Sequence, residues 1–161
     1  NNLYAEALVR YLGTRYTLPG TIHNSQDLLR DYWRKRGVNI QNAIIKDGCG
    51  LAPQDAVSAK ALVQLLTVMA HSPNKEAWLA SLPTSGQTGT LKSLCSQTRL
   101  DGKIHAKSGT IAGTKNFAGY IDLPNGEQWV FAILINSAPG KAKNIQTVIQ
   151  QYLLDVYSAH Q

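Results

Sequence analysis

The sequence predicts a mixed α/β fold of the α+β type, in which helices pack against an antiparallel sheet. Apolar residues follow helical spacing in the first half of the chain and again near its end. Between about residues 103 and 136 they alternate with polar residues instead, as in strands. Because a short turn sequence joins two of these runs, they indicate an antiparallel meander rather than a parallel sheet.

Four helical segments are predicted before the sheet. In the first, Tyr4, Leu8 and Leu12 share one face and Gly13 follows the last turn. Ser25 is the expected N-cap of the second helix, and Gly37 is its expected end. The predicted ranges are 3–12, 25–36, 58–71 and a short piece at 76–82.

Three strands and a final helix complete the prediction. The strands are expected at 103–107, 116–123 and 128–136, with a short β-like segment earlier at 43–45. Pro124-Asn125-Gly126 has the composition of a hairpin turn between the last two strands. The closing helix is expected from Ala142 to Ser158, where apolar residues recur at helical spacing.

Composition excludes several classes of protein. The 161 residues are 43% hydrophobic and 16% charged, which is typical of a globular chain and not of a disordered one. The longest apolar stretch, 129–135, is too short to span a bilayer, and no secretion signal is present. The net charge of +6 comes from scattered residues, and the cluster at 34–36 falls in the last turn of a predicted helix, so no nucleic-acid partner is expected.

The two cysteines do not indicate a metal site. Neither Cys49 nor Cys95 has a second cysteine or a histidine at ligand spacing. They are either two free thiols or one disulfide, and the sequence leaves both alternatives open.

Lys107-Ser108-Gly109-Thr110, at the end of the first predicted strand, is the segment with the clearest chemical character. A cation, a hydroxyl donor and a free backbone N–H at a strand edge suit the binding of a carboxylate in acyl transfer. Alone, such a tripeptide is more often an ordinary turn, and Asn2 alone is an ordinary helix cap.

Together these segments resemble a family of penicillin-recognising serine enzymes. That group uses three motifs in order, namely Ser-x-x-Lys, Ser-x-Asn and Lys-Thr/Ser-Gly. Asn1-Asn2 resembles the end of the second motif, and Lys107-Ser108-Gly109 follows about a hundred residues later, as the third motif does. The chain is most similar to the D-alanyl-D-alanine carboxypeptidase/endopeptidases of the class C low-molecular-mass penicillin-binding proteins, peptidase family S13. Further supporting segments are 2–6, 45–51, 81–91, 102–109 and 117–120.

The resemblance implies a function and a role for each motif residue. Residues 1–161, which begin without methionine, are expected to form the C-terminal part of a periplasmic DD-peptidase domain. An upstream part of the same protein is expected to supply the nucleophilic serine and its lysine. Lys107 and Ser108 would bind the terminal carboxylate of a peptidoglycan peptide ending in D-Ala-D-Ala, or of a β-lactam. Gly109 would leave room for it, the Thr110 N–H would stabilise the oxyanion, and Asn2 would bind the substrate amide; no metal or organic cofactor is implied.

Three departures from the family and two alternative functions remain. No Ser-x-x-Lys is expected anywhere in the chain, which is why the resemblance assigns the nucleophile to an upstream part. Cys49 replaces the serine of Asp-Gly-Ser-Gly-Leu, and the third motif has Ser108 where threonine is commoner. A class A-like β-lactamase is disfavoured because Ala80 stands where its Glu-x-x-Leu-Asn loop needs asparagine. A non-catalytic cell-wall-binding module on the same scaffold is the other alternative. His105 is expected to be an ordinary strand residue, and Glu76 a carboxylate at a helix start.

Overall fold

Helices precede the sheet along the chain and one helix follows it. The elements are α1 (Asn2–Thr14), α2 (Ile22–Arg34), α3 (Ala59–Ala70), α4 (Lys75–Ala80), a 3-10 turn (Gly89–Leu91), β1 (Ile104–Ile111), β2 (Thr114–Asp122), β3 (Gln128–Ile135) and α5 (Ala142–Ser158). The computed structural model describes residues 1–15, 20–111, 113–139 and 141–159. Its contacts divide the chain into two units, Asn1–Val68 and Met69–Gln161. The predicted α+β fold class is confirmed.

In the first unit, α1 and α2 lie against each other at Gly13 and Ser25. The prediction that Ser25 caps α2 is wrong. The N-cap is Thr21, four residues earlier, whose hydroxyl accepts from the Asn24 N–H at 3.2 Å. Ser25 is instead fully buried and donates its hydroxyl to the Val9 carbonyl of α1. Serine and threonine are both good N-cap residues, so residue type does not decide between Thr21 and Ser25. The contact with α1 decides, because it buries Ser25.

The apolar face predicted for α1 is not the face that packs against α2. Tyr4 is 68% exposed and Leu8 is 62% exposed, whereas Val9 and Gly13 meet α2. The expectation that Asn2 caps this helix is also wrong. Asn1 is the cap, and its side-chain oxygen accepts from the Leu3 N–H at 3.0 Å.

The segment predicted as β-like at 43–45 forms only an isolated bridge. Ile44 and Ala56 exchange two backbone hydrogen bonds of 2.9 Å, and no described neighbour extends the pair into a strand. The start predicted for the third helix is confirmed, since the Ser58 hydroxyl accepts from the Ala61 N–H at 3.1 Å. None of the helices in the described residues is long and apolar enough to cross a membrane.

The second unit contains the sheet, whose strand order is β1-β2-β3 with antiparallel pairing throughout. One face of the sheet forms the core together with α5 and the segment around Leu91–Leu100. The α5 side chains that enter this core are one helical turn apart, and its bounds equal the predicted ones. The fully or nearly buried core residues include Leu91, Leu94, Leu100, Ile104, Phe117, Ile121, Ile149 and Leu153.

β1 is longer than the sequence predicts. It continues past Lys107 to Ile111, and the pairing with β2 extends to Ile111 opposite Thr114. The Lys-Ser-Gly tripeptide therefore lies inside a paired strand, which excludes the simple turn that its composition also allows. Glu76 lies in the first turn of α4, as expected for a carboxylate at a helix start.

Candidate active site

The Lys-Ser-Gly motif lies on β1, and its three residues pair with Ala118, Phe117 and Asn116 of β2. Side chains alternate along the strand, so that Ser108 is 8% exposed on the core side. Lys107 points to the opposite face and is exposed. The two side chains leave the strand on opposite faces, but the Lys107 Nζ reaches back to the Ser108 carbonyl, which points to the edge of β1 away from β2.

The outer edge of β1 is only partly covered by the described residues. Pro83 and Ser85 pair with its beginning: Ala106 N–H donates to the Pro83 carbonyl at 3.1 Å, and Ser85 N–H donates to the Ile104 carbonyl at 2.9 Å. Alternate residues of a strand direct their backbone groups to the same side, so the N–H groups of Ser108 and Thr110 also point to this edge. In the described part of the chain neither N–H has a backbone partner, which leaves the Thr110 N–H accessible to a ligand oxygen.

The Ser108 hydroxyl is not isolated at this site. Its Oγ lies 2.8 Å from Oγ1 of Thr90, an exposed residue of the 3-10 turn. The sequence alone indicates no role for Thr90. Its proximity depends on the position of the 3-10 turn beside β1, which no local pattern predicts.

A second cation, Lys115, lies on the core side of the same sheet end. Its Nζ donates to the Thr110 hydroxyl at 3.0 Å and lies 5.2 Å from the centre of the Phe117 ring. Partial burial lowers the pKa of the Lys115 ammonium. The exposed Lys107 Nζ contacts the carbonyl of Ser108. Two lysines thus contact the backbone or side chains of the four-residue motif.

Ser85 fixes the start of β1 from inside the protein. It is fully buried, donates its hydroxyl to the Leu100 carbonyl at 2.6 Å and accepts from the Ile104 N–H at 3.0 Å. These two bonds satisfy backbone groups at the point where the chain enters the strand. Ser85 therefore positions the strand that carries the motif, a role that sequence analysis does not identify.

Asn2 belongs to the first unit, and Lys107 to Thr110 belong to the second. Asn2 is the first residue of α1 and is exposed. On the next turn Glu6 accepts from the Gly48 N–H at 2.6 Å, which joins α1 to the loop at 47–52. This contact fixes the helix start that carries Asn2.

The loop at 47–52 is organised by Asp47. Its carboxylate accepts from the N–H groups of four following residues: Cys49, Gly50, Leu51 and Ala52. Burial acts to raise the pKa of this carboxyl, but the four hydrogen bonds together lower it below its ordinary value. Asp47 is therefore a structural anion in this loop.

Glu6, Asp47 and Cys49 form the one group of potential metal ligands among the described residues, with ligand atoms within 4.8 Å of one another. Backbone N–H groups already bind both carboxylates, as in a loop that the chain itself completes. The donor set therefore does not favour a metal. Cys49 and Cys95 are free thiols in this structure.

One tetrapeptide, Ser72-Pro73-Asn74-Lys75, matches Ser-x-x-Lys literally and corrects the expectation that this motif lies wholly outside the chain. In the family the Ser-x-x-Lys motif comes first along the chain, whereas this tetrapeptide lies between the other two motifs. Its geometry also differs from a motif on one helix, because α4 begins only at Lys75. The Ser72 hydroxyl donates to the Met69 carbonyl at 2.9 Å and accepts from the Asn74 N–H at 3.2 Å. Ser72 is thus a turn residue between α3 and α4.

His105, two residues before Lys107, is a strand residue as expected, and it is part of a side-chain network. Its Nε2 lies 3.0 Å from Asp122 Oδ2, and its Nδ1 lies 3.3 Å from Thr84 Oγ1. Gln128 donates to the other Asp122 oxygen at 2.8 Å. The network lines an open cavity of about 510 Å³ within the second unit and joins the beginning of β1 to the end of β2.

Comparison with known proteins identifies the family of the chain. The model of the D-Ala-D-Ala carboxypeptidase 3 (S13) family matches residues 1–156. A D-alanyl-D-alanine carboxypeptidase of Actinomadura sp. is 32% identical, over 100% of this chain and 31% of its own length. The corresponding protein of Haemophilus influenzae is 27% identical, over 84% of this chain and 29% of its own length. The chain thus spans about a third of the length of these curated relatives.

Solved structures show the same fold. Penicillin binding protein 4 of Haemophilus influenzae, complexed with a β-lactam, superposes with a TM-score of 0.88 at 23% identity, over 98% of this chain and 39% of that chain. A predatory endopeptidase of Bdellovibrio bacteriovorus, acylated by penicillin G, has a TM-score of 0.74 at 16% identity, over 99% of this chain and 42% of that chain. Since the family model covers almost every residue from Asn1 onward, the chain belongs to the D-Ala-D-Ala carboxypeptidase 3 (S13) family.

Proposed function

We propose that this chain is the C-terminal, substrate-binding part of a serine-type D-alanyl-D-alanine carboxypeptidase/endopeptidase. The enzyme acts on peptidoglycan peptides in the periplasm and is acylated by β-lactams. The observation that carries the proposal is the Lys-Ser-Gly motif on the open edge of β1, in a chain that belongs to the S13 family. A part of the protein upstream of this chain supplies the nucleophilic serine and its lysine.

Lys107 and Ser108 bind the terminal carboxylate of the substrate. Lys107 is exposed and has no carboxylate partner among the described residues, so its charge is available to an anion. A hydrogen bond from a hydroxyl to a carboxylate contributes about 1.5 to 3 kcal/mol. The preference for a peptide with a free C-terminus follows from these contacts.

Thr110 contributes its backbone N–H to the oxyanion hole, because that group points to the open edge. An oxyanion donor of this kind typically raises the rate about 10² to 10³-fold. Asn2 binds the substrate amide through its carboxamide and orders the lysine of the first motif. The acyl-enzyme that forms on the upstream serine is then hydrolysed by water.

Labelling with a fluorescent penicillin tests this proposal in the complete gene product. We expect Lys107→Ala and Ser108→Ala to slow acylation by at least about tenfold, as the loss of a charge-assisted hydrogen bond requires. Ser72→Ala is the matched control, since Ser72 belongs to a turn and its loss leaves the acylation rate unchanged. Acylation at the normal rate in both motif variants would contradict the assigned roles, and so would a gene product with no Ser-x-x-Lys upstream of Asn1.

A further inference from the structure

Thr90 is the residue beside the motif whose position suggests a role that the family motifs do not assign. Its Oγ1 lies 2.8 Å from the Ser108 Oγ. Ser108 is 8% exposed, whereas Thr90 is exposed. Of the two hydroxyls in this pair, the one that a ligand from solvent meets first is therefore that of Thr90.

The hydrogen-bonding capacity of the pair leaves one donor free. Each hydroxyl has one proton to donate, and one proton of the pair is used in the bond between Ser108 and Thr90. The other proton has no protein acceptor among the described residues. Because Ser108 is the donor in this bond, the unused proton is that of the Thr90 hydroxyl. Thr90 is also the exposed partner, so a ligand from solvent can accept this proton.

The 3-10 turn holds Thr90 in place. Leu91 is fully buried, and its carbonyl accepts from the Gly86 N–H at 3.0 Å. Gly89 has a φ of +52°, and a Cβ at that position would approach Pro83 to 3.2 Å, so the turn needs a glycine before Thr90. Thr90 is thus fixed by the core on one side and by the glycine turn on the other.

We propose that Thr90 is a further carboxylate-binding residue. When the terminal carboxylate binds, it replaces the bond between the two hydroxyls, so that Ser108 and Thr90 each donate their one proton to it. This proposal rests on the proposed function, because it assigns the same anion site. The recognition element is then a cation from Lys107 and a hydroxyl pair from two separate segments, and not the β1 motif alone. The ligand class is a peptide or β-lactam that carries a carboxylate next to the reacting carbonyl group.

The test compares acylation by benzylpenicillin with acylation by its methyl ester, in the complete gene product. The ester cannot accept a charge-assisted hydrogen bond, so the ratio of the two second-order rate constants reports recognition of the carboxylate. We expect Thr90→Val, which keeps the shape but loses the hydroxyl, to lower this ratio roughly tenfold to hundredfold. Thr90→Ser keeps the hydroxyl and restores the ratio to within about threefold of the wild type.

Thr88→Val is the matched control for damage to the turn. Among the described residues the one hydrogen bond of the Thr88 hydroxyl is with the Thr84 N–H, from which it accepts at 2.8 Å, so its loss affects the turn and not the ratio. An equal fall for acid and ester in Thr90→Val, or no change for either, would overturn the role of Thr90 while the proposed function stands. If the wild-type protein is acylated by neither compound, the proposed function fails and the role of Thr90 fails with it.

Discussion

Gly109 and Gly119 lie on paired strands, but the fold restricts them very differently. A Cβ on Gly109 would meet only Asn116 Cβ at 3.8 Å, an ordinary contact. A Cβ on Gly119 would lie 2.1 Å from the His105 carbonyl oxygen and 2.5 Å from Ala106 Cα. The lack of a side chain at Gly119 is thus a packing requirement. At Gly109 packing requires no glycine, which supports the proposal that this position leaves room for the substrate.

We therefore expect Gly109→Ala to separate activity from stability. The free energy of unfolding should change by less than about 0.5 kcal/mol, as for a substitution that meets no close contact. Acylation by benzylpenicillin should slow by at least about tenfold, because the new methyl group displaces a ligand bound along the strand edge. Gly119→Ala is the contrasting variant and should lower the free energy of unfolding by about 1 to 3 kcal/mol or more. Urea unfolding and penicillin labelling measure both effects, and unchanged labelling of Gly109→Ala would contradict this interpretation.

The buried thiol of Cys95 should make the free energy of unfolding depend on pH. Burial, with a smaller effect from the negative charge of Asp101, raises the pKa of its thiol from 9.0 to about 11. The unfolded chain loses this proton at a lower pH than the folded chain does. The contribution of Cys95 to stability is therefore complete below pH 9 and is lost as the pH rises to 11.

Cys95→Ala tests this effect. The difference in free energy of unfolding between wild type and variant should shrink by about 2 kcal/mol between pH 9 and pH 11. Urea unfolding at several pH values measures it, and the comparison between the two proteins cancels the titration of tyrosines and lysines. A difference that stays constant over this range would show that the thiol titrates alike in both states.

At the scale of elements, the contact between α1 and α2 depends on Gly13. A Cβ at this position would lie 2.8 Å from both the Thr21 carbonyl oxygen and the Ser25 hydroxyl. The sequence suggests that Gly13 ends α1, but the helix continues to Thr14. The glycine is needed for the close approach of the two helices, and not to end the first.

Gly13→Ala should therefore destabilise the protein although alanine is the better helix former. Helix propensity alone would favour the variant by about 1 kcal/mol. The clash with a backbone carbonyl outweighs this, and we expect a net loss of about 1 to 3 kcal/mol in thermal or urea unfolding. The reverse change at an exposed position of the same helix, Ala7→Gly, should cost about 0.5 to 1 kcal/mol, as propensity alone dictates. A Gly13→Ala variant that is more stable than the wild type would mean that α1 and α2 can move apart without a loss in the free energy of unfolding.

For the molecule as a whole, the chain matches only about a third of the length of its curated relatives, and the proposed nucleophile lies outside it. The purified 161-residue chain should therefore form no covalent adduct with a fluorescent penicillin, whereas the complete gene product should. Gel fluorescence after denaturation distinguishes the two cases. Labelling of the isolated chain would contradict the proposal and would direct attention to Ser72, the serine of the one literal Ser-x-x-Lys.

The spacing of apolar residues along the chain and the order of short segments predict most of the secondary structure and the family of this protein. Apolar spacing predicts α5 with its observed bounds, and alternation predicts three strands in the observed order. The ordered set of motifs and further family segments predicts the S13 family, which the family model confirms. These signals are local in the chain or depend on the order of short segments, so no contact between distant residues is needed to detect them.

Contacts between distant residues decided the remaining features. Ser25 and Thr21 are equally good caps by type, and burial against α1 made Ser25 an interior residue. Pairing with β2 extended β1 through the Lys-Ser-Gly motif, and packing of the 3-10 turn brought Thr90 to Ser108. The sequence by itself determined the family and the fold class. Only the tertiary structure decided which hydroxyls, edges and helix faces are exposed, because exposure depends on neighbours that are distant in sequence.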